Sequence, residues 1–186
     1  MPNSSRQQTV WCPTGNYDTT NISPTDWASL GGQPGQLGIE FEAQNKRYQR
    51  VQLDSGVSSS ILATAAGQLL YWKSKAGSYI VTNDRRFALG FSGGNDGYRN
   101  QVAGILRLAT ATPGNYIDIL KAGDNISVVS DGSGADGGIA VAEAGNAARV
   151  VAVTAGTAIT VNAVGVIRGA ASGGLINVDV DLPDTP

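Results

Sequence analysis

At 186 residues, with 41% hydrophobic and 15% charged positions and a formal charge of −2, the chain holds enough apolar material for one real core or two small ones. That balance excludes a disordered chain, which needs high net charge and few β-branched residues, and the scattered basic residues argue against a nucleic-acid footprint. Histidine is absent and Cys12 is the single cysteine, so the commonest general base, the commonest metal ligand and an internal disulfide are all missing.

Residues 1–36 hold Pro2, Pro13, Pro24 and Pro34, four of the seven prolines, with few aliphatics and neither the helical nor the strand period. They predict an extended N-terminal arm. Trp11 and Trp27 are its expected anchors, because an indole left in water is costly and favours docking. The opening MPNSSRQQTV lacks an apolar signal region, and no stretch approaches the ~18 apolar residues of a membrane span. A soluble chain without a membrane partner is expected.

From Leu37 onward, short β-branched runs alternate with Gly, Asn, Asp and Ser as far as Leu182. Ile39–Glu42 and Arg47–Leu53 flank Asn45 and predict a hairpin. Gln68–Lys73 and Tyr79–Thr82 flank Ala76-Gly77 and predict a second. Asn83–Gln101, with Gly90, Gly93, Gly94 and Gly97, reads as a long loop of the kind that carries contacts. Strands are predicted at Val102–Leu108, Tyr116–Leu120, Ile126–Val129, Ile139–Ala142, Arg149–Val153, Ala158–Val161, Val164–Arg168 and Leu175–Leu182. The last alternates most clearly and is ended by Pro183. Short helices are expected at Ser59–Ala66 and Glu143–Ala148. The fold class is therefore all-β, an antiparallel sandwich or barrel-like body of one or two β portions behind the arm. A soft boundary near Gly123 divides 37–123, with its loop 83–101, from 124–186.

The motifs carry little chemistry. Gly90-Phe91-Ser92-Gly93-Gly94 matches a nucleophile elbow in letters, but no histidine exists to take the serine proton. Asp131–Gly138 resembles a calcium loop only until its fifth position, Ala135, and its twelfth, Ala142; it reads as a turn. Glu40 with Glu42, and Asp179 with Asp181, put carboxylates about 7 Å apart on one strand face. Both pairs sit on the polar side of an amphipathic strand, where solvated charge is ordinary. No catalytic, cofactor or metal site is expected, and the chain reads as a non-enzyme. Tyr71, Trp72, Tyr79 and Phe87 form an aromatic concentration, read first as hairpin packing and second as a sugar-binding platform.

Several stretches together resemble the head decoration, or capsid cement, proteins of tailed bacteriophages. They are Gly67–Lys73, Tyr79–Asp84, Ala103–Arg107 followed by Thr112–Tyr116, and Val164–Val166 with Ala170-Ala171 before Asn177–Pro183. The resemblance spans roughly Leu37–Pro183 and leaves the arm unmatched. It implies a structural virion protein, made in the host cytoplasm, that binds the major capsid protein on the outside of the head. It also implies self-association as a homotrimer, with no cofactor and no nucleic acid. Trp11 and Trp27 on the arm, and Arg85, Arg86 and Phe87 at the start of the long loop, are the candidate capsid contacts. The alternative is a carbohydrate- or host-receptor-binding surface protein with Tyr71, Trp72 and Tyr79 on an exposed face.

Overall fold

A computed structural model describes residues 20–30, 36–56, 66–74, 78–88, 101–108, 111–143, 148–154 and 162–182. The body is all-β, as the alternation predicts. Its strands are β1 (Asn21–Ile22), β2 (Glu40–Ala43), β3 (Lys46–Leu53), β4 (Gln68–Ser74), β5 (Ile80–Thr82), β6 (Val102–Leu106), β7 (Tyr116–Val129), β8 (Ile139–Ala142), β9 (Val150–Val153), β10 (Ala163–Ile167) and β11 (Leu175–Asp181). One short helix, α1 (Pro24–Ser29), precedes the body, and a 3-10 turn occupies Arg85–Phe87.

The expected hairpin at Asn45 is present as β2–β3, with Ala43 opposite Lys46. Gln44 and Asn45 take φ of 53° and 58°, the two positive values a tight two-residue hairpin loop requires. β4 and β5 pair antiparallel as the second expected hairpin. β3 then pairs with β5, β5 with β4, β4 with β6, β6 with β7, and β7 returns to β3, closing a five-stranded ring. Alternate side chains fill its interior: Val51, Leu53, Leu70, Trp72, Val81, Ala103, Ile117 and Ile119 form one buried cluster.

The intervening residues face outward. Tyr48, Leu69, Tyr71, Val102, Ile105 and Leu120 meet Ile126, Val128, Ala140, Val164, Ile167, Ile176, Val178 and Val180 in a second, larger cluster. That cluster lies between the barrel wall and a second layer, ordered β7-β11-β10-β8-β9. β7 belongs to both layers. The sequence predicts two strands here, Tyr116–Leu120 and Ile126–Val129, but β7 is one strand of 14 residues and Gly123 lies within it. Pairing holds the polar middle extended: Ala122 is opposite Arg47 on one side and Asp181 on the other. Asn125, with φ of 54°, accompanies a register shift between Val178 and Val180 on β11.

Residues 20–30 of the expected arm fold onto the body. β1 pairs with the start of β7, Asn21 opposite Ile117 and Ile22 opposite Tyr116. α1 follows because Ser23 caps it: the Ser23 hydroxyl accepts the Asp26 amide at 3.0 Å, and Pro24 supplies a first-turn residue that needs no N–H partner. Trp11, Cys12, the Gly90–Gly94 motif, the strand at Ala158–Val161, and most of both helices expected at Ser59–Ala66 and Glu143–Ala148 lie outside the described residues.

Candidate functional site

Asn83–Phe87 leaves β5 as a rigid turn. The Asp84 carboxylate accepts the Arg86 backbone amide at 3.0 Å and caps the 3-10 turn. It also grips the Arg86 guanidinium, with Nε donating to Oδ1 at 3.0 Å. The Arg86 side-chain hydrogen bond is the main cause holding the Asp84 carboxyl below its ordinary range. Arg85 points the other way and is 2% exposed. Its Nε donates to Gln101 Oε1 at 3.2 Å and its Nη1 to the Glu143 carbonyl. The Gln101 amide donates to Asn162 Oδ1 at 2.9 Å. Both ends of the long loop are thereby fastened to the second layer.

Phe87 follows on the outer side of this turn and is 60% exposed, the most open large hydrophobic among the described residues. Lys73 Nζ lies 6.0 Å from its ring centroid and Arg86 Cζ 5.9 Å, so two cations collar the ring. Each cation has a carboxylate: Asp84 for Arg86, and Asp54 for Lys73 at 2.7 Å. The result is an apolar knob in a neutral, hydrogen-bonded collar on an immobilised base. Such a knob suits insertion into a pocket on another macromolecule.

The other candidates are placed differently. Trp27 is 2% exposed and docks on the chain's own barrel. Its ring meets Tyr116 edge-on with centroids 6.2 Å apart, and Arg50 Cζ lies 4.5 Å from its centroid. Arg85 is buried as a structural fastener, and only Arg86 and Phe87 of the Arg85–Phe87 group reach the surface. The exposed platform expected of Tyr71, Trp72 and Tyr79 does not form. Tyr71 and Trp72 are neighbours on β4, so strand alternation sends them into different cores, at 0% and 2% exposure. Tyr79 is half-buried, edge-on to Trp72 at 6.2 Å.

The carboxylates of the Asp179 and Asp181 pair are each engaged by a neighbour. Asp179 accepts the Asn125 amide at 2.9 Å and the Arg168 guanidinium at 2.6 Å, and both hold its carboxyl below the ordinary range, the amide most. Asp181 meets Arg47 at 3.3 Å. Asp179, held ionised by its two donors, is a poor proton donor near neutral pH. Asp131 accepts the amide of Ser133 at 2.9 Å and its hydroxyl, which makes the 131–138 segment the turn its sequence predicts. Among the described residues, no group of three or more His, Cys, Asp or Glu side chains is placed to hold a metal ion.

Sequence reasoning misses the ion pair that Trp27 covers. Arg50 Nε and Nη2 each donate to Asp118 at 2.8 Å, and the pair is 1% and 0% exposed. Its partners are 68 positions apart, and no local pattern joins them. Compared with protein-family models and with curated protein sequences, the chain finds no significant match.

Proposed function

We propose that this chain is a structural binding protein that decorates the outer surface of a tailed-phage head, grips the major capsid protein and stabilises the shell without catalysis. The observation that carries the reading is Phe87, an open aromatic on a turn that Arg85 and Asp84 hold in one conformation. A pre-ordered knob loses little conformational freedom on binding, which is what a small attachment site needs. The stretches that resemble decoration proteins lie chiefly in β4, β5, β6, β10 and β11 and in the turn at Thr112–Asn115. Self-association, with a homotrimer expected, would multiply modest contacts by effective concentration. Arg86 and Phe87 are the proposed capsid contacts among the described residues, with Trp11 a further candidate on the arm.

The test mixes purified protein with expanded heads that lack it, pellets the shells and counts bound copies. Saturable binding near one copy per capsid subunit is expected. Phe87→Ala should weaken it tenfold or more, about 1.4 kcal/mol, while leaving the melting temperature unchanged. Absence of binding at any input ratio would overturn the reading.

A further inference from the structure

The strands at the far end of the second layer differ in kind from β11. β11 alternates strictly, with Ile176, Val178 and Val180 buried and Asn177 and Asp181 exposed. β8, β9 and β10 read IAVA, VVAV and AVGVI, without one polar side chain. An antiparallel sheet with one face in water alternates, whereas strands apolar on both faces are covered on both. Their inner face has its cover, because Ala140, Ala142, Val150, Val164 and Ile167 belong to the larger core.

The outer face follows from the register. Val153 is opposite Ile139 and Ile139 opposite Val166; Val151 is opposite Val141 and Val141 opposite Ala163. These six side chains form two rows of three and belong to neither core cluster. Five are half-buried, and Val166, at 40%, is one of three large hydrophobics standing exposed among the described residues. With strands about 4.8 Å apart and same-face neighbours about 6.7 Å apart, they make an uncharged patch on the order of 200–300 Å².

We propose that this outer face is a contact between copies of this chain, packed sheet against sheet. An apolar sheet face of this kind is its own complement, as a two-fold contact demands, so it joins copies in pairs and not around the three-fold axis of a trimer. Its rim carries both signs of charge: Arg168 binds Asp179 at 2.6 Å, and Asp136 lies close enough to favour the charge on that guanidinium. A second copy offers the opposite sign to each. The patch is roughly a third of the ~800 Å² per partner of a stable interface, so it is the centre of the contact and the polar rim must close it. The association is accordingly of modest strength and depends on concentration. The inference goes beyond the trimer of the proposed function and adds a separate two-fold contact to it.

Sedimentation equilibrium of the full chain, from micromolar to near-millimolar concentration, tests it. The protein is expected to associate, Val166→Lys to weaken association at least tenfold, and Leu30→Lys, an exposed apolar residue at the end of α1 and outside this sheet, to leave it unchanged. If Val166→Lys lowers the melting temperature, Val166→Ser carries the same comparison and should weaken association in the same direction. A chain that stays monomeric throughout overturns both the surface and the self-association. Association that neither Val166 variant weakens overturns the surface alone. Capsid pelleting reports on attachment to the head separately from either outcome.

Discussion

Trp27 lies across the guanidinium of Arg50, 4.5 Å from ring centroid to Cζ, and Arg50 clasps Asp118 beneath it. An ion pair on the outer wall of a barrel would ordinarily be wet. Here the indole from the N-terminal segment and the Phe41 ring, 5.8 Å from the guanidinium, both lie over the pair, which is 1% and 0% exposed. Asn21 helps to hold that segment, accepting the Thr112 amide at 3.2 Å and the Asn115 side-chain amide at 3.0 Å. Trp27→Ala should therefore destabilise the protein by about 3–5 kcal/mol, the range for deleting a buried large aromatic. Trp27→Phe should cost clearly less. Urea denaturation checks both, and a Trp27→Ala variant as stable as the parent would show that the segment does not cover the barrel.

The pair beneath the indole gives a second expectation. Removing one member strands a charge away from water, so Asp118→Ala should cost about 3–5 kcal/mol. Replacing both members, Arg50→Met with Asp118→Leu, should cost far less than the two single changes added together, because neither charge is then left behind. A double-mutant cycle measures the difference. Simple additivity would mean that the two side chains do not act as a pair.

The sequence carries the barrel better than it carries the site, for a physical reason. Strand period and turn chemistry are local, so the β2–β3 hairpin at Asn45 and the alternation of Leu175–Asp181 are legible in short windows of the chain. The continuity of β7 is not, because Gly123-Asp124-Asn125 looks like a turn and is kept extended only by partners far along the chain. α1 does announce itself through Ser23-Pro24-Thr25-Asp26, a helix-start signature that the proline-rich composition around it masks. Burial of aromatics is the least legible. Trp27 and Phe87 are both large apolar residues in polar stretches, yet one is at 2% exposure and the other at 60%. What separates them is the facing barrel wall, which no window of sequence contains.

Arg85 and Arg86 make the same point through opposite fates. Arg85 is buried, and its removal leaves Gln101 Oε1 and the Glu143 carbonyl without their charged donor. Arg85→Ala should cost about 1.5–3 kcal/mol, the usual value for hydrogen bonds to a charged group. Arg86 is 53% exposed at its side chain, and its pair with Asp84 lies in solvent reach. Arg86→Ala should stay within about 0.5 kcal/mol of the parent. Thermal melts of the two variants decide it; equal losses would mean that Arg85 is not the fastener of the long loop.

Acid should lower the protein's stability in part through a short set of carboxylates. Asp179 is held below its ordinary range chiefly by the Asn125 amide and then by Arg168, Glu143 by Arg149, Asp131 by the Ser133 hydroxyl and amide, and Asp84 by Arg86. Each is ionised more readily in the folded than in the unfolded chain, so the unfolded chain takes up protons first as pH falls. Their contribution is in full force above the ordinary carboxylate range, about pH 4, and is lost as pH drops through the lower folded values. Melting temperature should therefore hold steady from neutrality down to about pH 5 and then fall. Asp179→Asn removes one of these groups, so the variant should fall less steeply over that window. Added salt should reduce the share owed to the exposed Arg168–Asp179 and Arg149–Glu143 pairs, and should spare the share owed to the Asn125 amide and to Ser133. Melting curves across pH at low and high salt separate the two shares, and an unchanged acid slope in Asp179→Asn would remove Asp179 from the set.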